Sequence, residues 1–146
     1  MKVKEIMSQP VITVTADTTL EAVAGVMLRH NIGCVPVMDD DAKLVGIITH
    51  SDFIAKKKGI PFSRVRLPML LGYGLREGTE TIYDAAKSLT AGEIMTPNPV
   101  VLTEDDLVKT FLEKMLNDRV THVPIVRGDS VIGVVARHDL LKMIAD

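Results

Sequence analysis

Apolar positions in this chain fall into short blocks whose period switches between two and three to four. Val11-Ile12-Thr13-Val14 is a short β-rich run, and Asp17-Thr18-Thr19 after it offers helix N-caps. Leu20, Val23, Ala24, Met27 and Leu28 then recur at helical spacing, which predicts a helix over residues 19–30 that Gly33 ends. Cys34-Val35-Pro36-Val37-Met38 predicts a second strand, its Pro suggesting an edge or an entry position. Asp39-Asp40-Asp41 is turn chemistry, and Leu44-Val45-Gly46-Ile47-Ile48 predicts a third strand. Ser51 or Asp52 opens a second helix through Phe53, Ile54 and Ala55. The predicted order is β-α-β-β-α.

The same order returns later in the chain. Glu5-Ile6-Met7 recurs 88 residues on as Glu93-Ile94-Met95. That offset also pairs Thr15 with Thr103, Asp17 with Asp105, Met27 with Met115 and Val35-Pro36 with Val123-Pro124. One deletion shortens it by a residue, after which Gly46 pairs with Gly133 and Asp52 with Asp139. The chain is a tandem repeat. In the second copy strands are expected near residues 100–102, 122–126 and 131–136, with helices near 106–118 and 138–145. The boundaries drawn are 1–58 for the first copy, 59–90 for a partly helical insert and 91–146 for the second copy. Within the insert, Pro61 and Pro68 break the chain, residues 79–90 look helical, and Leu67-Pro68-Met69-Leu70-Leu71 is an apolar patch. That patch either packs on the module, forms a dimer contact or covers a site.

Composition narrows the function. Aromatic residues make up 3% of the chain and the net charge is −2, which argues against single-stranded or duplex nucleic acid as a partner. The single cysteine, Cys34, excludes an intrachain disulfide and fits a reducing compartment. With neither a signal-peptide run nor a membrane-length apolar stretch, a soluble cytoplasmic protein is expected.

Candidate chemistry concentrates in Gly46-Ile47-Ile48-Thr49-His50-Ser51-Asp52. Here a strand ends and a hydroxyl, an imidazole and a carboxylate follow at the mouth of a helix. Unpaired N–H groups there suit an anion, and a carboxylate can accept bonds from paired ribose hydroxyls. Thr49, Ser51 and Asp52 are equally good N-caps, so capping alone also explains them. The second copy, Gly133-Val134-Val135-Ala136-Arg137-His138-Asp139, keeps the Gly and the Asp and sets Arg137 opposite His50. A cap does not require a cation in both copies.

These residues resemble a pair of CBS domains, the tandem unit also called a Bateman module. The likeness rests on Glu-Ile-Met with a following Pro10 or Pro99, on the two Val-Pro strands, and on Gly-x-x-Thr-x-x-Asp ending at Asp52 with its variant ending at Asp139. It implies an α+β fold, two β-α-β-β-α units packed about a pseudo-twofold axis. It further implies clefts between the units that take AMP, ADP, ATP or S-adenosylmethionine. Asp52 and Asp139 would hold ribose hydroxyls, and Thr49 would contact ribose or phosphate. Main-chain groups of Ile32, Gly33 and Cys34, then of Val120, Thr121 and His122, would line the base pocket. Val11, Ile12 and Val100 would close it, and His50, His122, Arg137 and His138 would face phosphates. Ala136 departs from the motif's Thr, which puts the Asp52 site ahead of the Asp139 site.

No metal site is expected, because the four histidines have no ligand spacing and no Cys pair accompanies them. Cys34 reads as a small buried hydrophobe, and Lys56-Lys57-Lys58 as a solvated helix end. No catalytic set is apparent. A sensor of adenine compounds acting on an unidentified regulated protein is therefore set against a ligand-free structural homodimerisation module, and both against an enzyme. A homodimer is expected from the resemblance.

Overall fold

The computed structural model describes residues 1–53, 55–57, 60–61 and 79–145. The first copy contributes β1 (Val14–Thr15), α1 (Leu20–His30), β2 (Cys34–Met38) and β3 (Leu44–Thr49). Short strands β4 (Ala55–Lys57) and β5 (Ile60–Pro61) follow, then α2 (Thr79–Ala86) and α3 (Ala91–Ile94). The second copy adds β6 (Thr96–Pro97), β7 (Leu102–Thr103), α4 (Val108–Asp118), β8 (His122–Arg127) and β9 (Ser130–Ala136). The expected α+β architecture of two repeats is present. The insert's apolar patch at residues 67–71 and Lys58 lie outside the described residues.

Each repeat builds the same sheet. β1 runs parallel to β2 with Val14 opposite Val37, and β2 runs antiparallel to β3. In the second copy β7 meets β8 with Leu102 opposite Ile125, and β8 meets β9. The long helices start and stop on local signals. Thr19 caps α1 by accepting the Ala22 N–H at 3.2 Å. Asn31 ends α1 in the left-handed conformation at φ 50°, and Arg119 does the same for α4 at φ 56°. The stop therefore falls two residues before Gly33, because the amide side chain of Asn tolerates the left-handed region.

Four further local expectations are corrected. Of the run at 11–14 only Val14 is in a strand, since the parallel ladder reaches no further than Val37–Met38. Pro36 and Pro124 sit in central strands rather than at edges. Each precedes the residue where the parallel ladder begins, at Val37 and Ile125, so no rung is lost to the missing N–H. The helix expected after Asp52 is a 3-10 turn at His50–Phe53 followed by β4, so Lys56 and Lys57 lie in a strand and not at a helix end. The closing helix is also 3-10, at Arg137–Met143. Side chains three apart eclipse in that geometry, which suits the Asp139–Lys142 ion pair at 2.8 Å.

The packing units are not the contiguous repeats. The first core joins Leu20, Val23, Val35, Val37 and Ile48 to Ala86, Leu89, Ala91 and Ile94, which lead into the second copy. The second core joins Phe111, Val123, Ile125 and Val135 to Val3 and Ile6 at the start of the chain. Hydrogen bonds follow the same exchange. Thr96 and Pro97 add an edge to β3, and Ser8 bridges Val134 of β9. The Glu of each Glu-Ile-Met segment closes a turn, Glu5 accepting from the Lys2 N–H at 2.6 Å and Glu93 from the Thr90 N–H at 3.2 Å. The following Ile is buried in the opposite repeat's core. Among the described residues no helix is long and apolar enough to cross a membrane.

Candidate functional site

Both Asp-ending turns fold the same way. Asp52 accepts the Thr49 N–H at 2.8 Å and Asp139 accepts the Ala136 N–H at 2.8 Å. Both carboxylates are buried, at 3% and 2% exposure, although charged groups at that depth require partners. Capping is thus realised in each turn, and for Asp139 it uses one oxygen only. The turns are also fastened to the segments that precede β2 and β8. The His50 N–H donates to the Gly33 carbonyl at 3.3 Å, and the Arg137 N–H to the Thr121 carbonyl at 3.4 Å.

A cleft of about 230 Å³ opens between the copies. From the first copy it takes Val11 and Ile12, with Ile32, Gly33 and Cys34. The second copy supplies His122, Ala136, His138 and Asp139. Residues expected to serve a base pocket therefore share a space with the Asp-ending turn of the other copy. Thr49, Asp52, Val100, Val120, Thr121 and Arg137 do not line it. His50 lines a neighbouring apolar cavity of about 290 Å³ with Met27, Leu28 and Phe53. The two spaces meet at Ile32 and Asn31.

Gly33 is where three predicted residues converge. A β-carbon built there would lie 3.1 Å from Cε1 of His50 and 3.3 Å from Nε2 of His122. The absent side chain lets imidazoles from both copies approach one backbone position. The Thr121 hydroxyl and His122 Nδ1 are 2.9 Å apart, which orients that ring. Burial lowers the His122 pKa from its ordinary value, and the charges of His50 and Arg137 lower it further, against the opposite pull of Asp139. The junction thus collects cationic groups around a partly desolvated imidazole, an arrangement that an anion would relieve.

Cys34 is buried, and burial with the nearby Asp52 charge pushes its thiol pKa far above the usual range. It is set up as a neutral wall residue and not as a nucleophile. Thr49 Oγ1 lies 2.8 Å from the Ser51 hydroxyl. No group of three or more His, Cys, Asp or Glu side chains is placed to hold a metal ion among the described residues.

Sequence reasoning did not find Ser8, Pro10, Asn31 or Val134, which also line the cleft. Nor did it find Lys142, whose ammonium reaches Asp139. Ser8 directly follows the repeated Glu-Ile-Met, and Lys142 stands three residues after the motif Asp, so both positions were within reach of the pattern.

Comparison with known proteins places these features in context. The CBS domain family model matches residues 3–59 and 91–146. The L-aspartate semialdehyde sulfurtransferase of Methanocaldococcus jannaschii is 31% identical over 142 residues, covering 97% of this chain and 23% of that enzyme. The inosine-5′-monophosphate dehydrogenase of the same organism gives the same identity and coverage. The chain thus spans about a quarter of the length of these relatives. Among solved structures, the CBS domain of a CBS domain containing membrane protein from Sphaerobacter thermophilus superposes with a TM-score of 0.73 at 33% identity, covering 99% of this chain and 88% of that one. The CBS domain pair of protein MJ0100, in complex with 5′-methylthioadenosine and S-adenosyl-L-methionine, gives 0.70 at 28% identity, covering 98% and 94%.

Proposed function

Because this chain belongs to the CBS domain family, as a tandem pair, we propose that it is a regulatory sensor binding an adenine-containing ligand between its repeats. One observation carries this reading: segments 11–12 and 32–34 of the first copy face His122, His138 and Asp139 of the second across one cleft. A ligand touching both copies has different affinity for different relative placements of them, which is what a sensor needs. The structural relative that holds 5′-methylthioadenosine and S-adenosylmethionine supports this class of ligand.

In this reading main-chain groups of Ile32, Gly33 and Cys34 contact the base, Asp139 takes the ribose, and His122 and His138 face phosphate, with His50 and Arg137 adding their charge from beside His122. Thr49 and Asp52 serve a second, repeat-related position with Val100, Val120 and Thr121. AMP, ADP, ATP and S-adenosylmethionine are the candidate ligands. The module is regulatory rather than catalytic, and the protein it regulates is the partner to be identified. Residues 1–58 and 91–146 form the two repeat units around an insert at 59–90.

Calorimetry with each candidate ligand tests the proposal. Asp139→Ala and Asp52→Ala should each abolish or greatly weaken binding at their own position. Unchanged affinity in both variants would remove the site assignment.

A specific observation also supports a second reading, a ligand-free homodimerisation module. Leu28 and Leu116 are repeat-equivalent, and they are 82% and 81% exposed. Paired apolar positions on α1 and α4 suit a second copy of the chain. A dimer in sedimentation that Leu28→Glu/Leu116→Glu converts to monomer, with no adenine compound bound at any concentration, favours this alternative. Both readings accommodate the dimer itself, so ligand binding is the discriminating result.

A further inference from the structure

The Asp139 carboxylate, which faces the cleft, is already in use. Its Oδ2 takes the Ala136 N–H at 2.8 Å. Its Oδ1 takes the Ser8 hydroxyl at 2.9 Å and the Lys142 ammonium at 2.8 Å. A carboxylate offers about four lone-pair positions, so these donors leave about one open. A ribose presents two adjacent hydroxyls. For both to be accepted, one resident donor has to leave.

The three donors are not equally held. The Ala136 N–H is main chain at the end of a strand. Ser8 is fixed by its own backbone bonds to Val134, at 2.9 and 3.3 Å. Lys142 is a flexible side chain that is 47% exposed, and water can rehydrate its ammonium when it swings away. That ammonium also donates to the Ile6 carbonyl at 2.8 Å. It therefore ties the last 3-10 turn to the segment that opens the chain. Beyond the tie, Leu141 and Ile144 are 60% and 88% exposed. The first copy has Ala55 at the position equivalent to Lys142, which carries no amine.

We propose that Lys142 is an internal latch on the Asp139 cleft: a ligand whose ribose hydroxyls claim the carboxylate displaces the ammonium, frees the closing turn from Ile6, and moves an apolar chain segment. The inference rests on the adenine-ligand reading above.

Hydrogen exchange read by mass spectrometry on the full chain tests it, with AMP and S-adenosylmethionine as probes. 2′,3′-Dideoxy-AMP, which lacks both hydroxyls, is the control. A ribose-bearing probe should raise exchange of amides 140–145 several-fold, and the dideoxy compound should not. Lys142→Met, which keeps the stem and loses the charge, should show that raised exchange without ligand. It should also bind the probe more tightly by roughly tenfold, since the carboxylate has lost a charged donor that the ribose can replace. Ser8→Ala opens a place on Oδ1 without touching the latch. In that variant binding should persist while the ligand-driven release shrinks, which keeps the test available should Lys142→Met fold poorly.

Greater protection of amides 140–145 on binding, equal release by the dideoxy compound, or no gain in affinity in Lys142→Met each overturns the latch and leaves the adenine reading standing. Failure of both probes to bind any of the three proteins overturns the reading and the latch together.

Discussion

The thioether of Met7 lies across Gly133, so that a β-carbon built on the glycine would stand 2.8 Å from Sδ. Met95 stands in the same relation to Gly46. Each Met comes from one copy and each Gly from the other, and both residues recur in the tandem repeat. This crossed contact explains why Gly is required in the third strand of each repeat, where its conformational freedom is a cost. Gly46→Ala and Gly133→Ala should each destabilise the fold by about 1–3 kcal/mol through overpacking. Denaturant titration measures it. Combining Gly46→Ala with Met95→Ala should recover part of the loss, and strict additivity in that double-mutant cycle would contradict the contact.

Arg119 holds the left-handed position after α4 without the local amide that Asn31 brings to the same place after α1. Arg119→Gly should therefore raise stability by about 0.5–1 kcal/mol, whereas Asn31→Gly should change it less. Thermal melts of the two variants rank them. An equal or larger gain at Asn31 would contradict the assignment.

Protonation of His122 is opposed in the folded protein by burial first, and then by His50 and Arg137. The folded state therefore binds a proton less readily than the unfolded chain. Stability from this group is complete above the ordinary histidine pKa, about 6.5, and declines as pH falls from there towards the lower folded value. His122→Gln should flatten that part of a stability-against-pH profile. An anionic ligand facing the ring favours the protonated form instead. Affinity for AMP should accordingly rise as pH falls through the same interval, with proton uptake visible in calorimetry across buffers of different ionisation enthalpy.

Cys34 is 6% exposed, and burial followed by the Asp52 charge disfavours its thiolate. A thiol reagent added to native protein at pH 8 should react slowly, at a rate set by opening of the fold, and at once in denaturant. Fast labelling of the native chain would show that this wall of the cleft is open to solvent.

Much of this organisation was legible before any coordinates. The offset joining Glu5-Ile6-Met7 to Glu93-Ile94-Met95 specified two like units, and the apolar period at Leu20, Val23 and Met27 specified the face of α1 that enters the core. Elements with a strong local signal behave this way, because helix period and caps act within a few residues. The segments that carry Asp52 and Asp139 are 3-10 in place of the α-helices their sequence suggests, a short turn at His50–Phe53 and a closing helix at Arg137–Met143. Their shape is decided by a carboxylate folding back on the N–H three residues earlier, and capping side chains announce either outcome.

By itself the sequence determined that the chain is a doubled β-α-β-β-α unit, and which residue types stand ready at the end of each third strand. The tertiary structure decided which copy serves which. Val3 and Ile6 join the second core, Ala91 and Ile94 join the first, and Gly33 draws in His50 from its own copy and His122 from the other. The reason is physical: a repeat's pattern records what each segment buries but not against which of two nearly identical surfaces, and only packing in three dimensions distinguishes them. The same holds for the Asp-ending motifs, alike in sequence: only the folded chain shows that Lys142, where the first copy has Ala55, reaches back to Asp139.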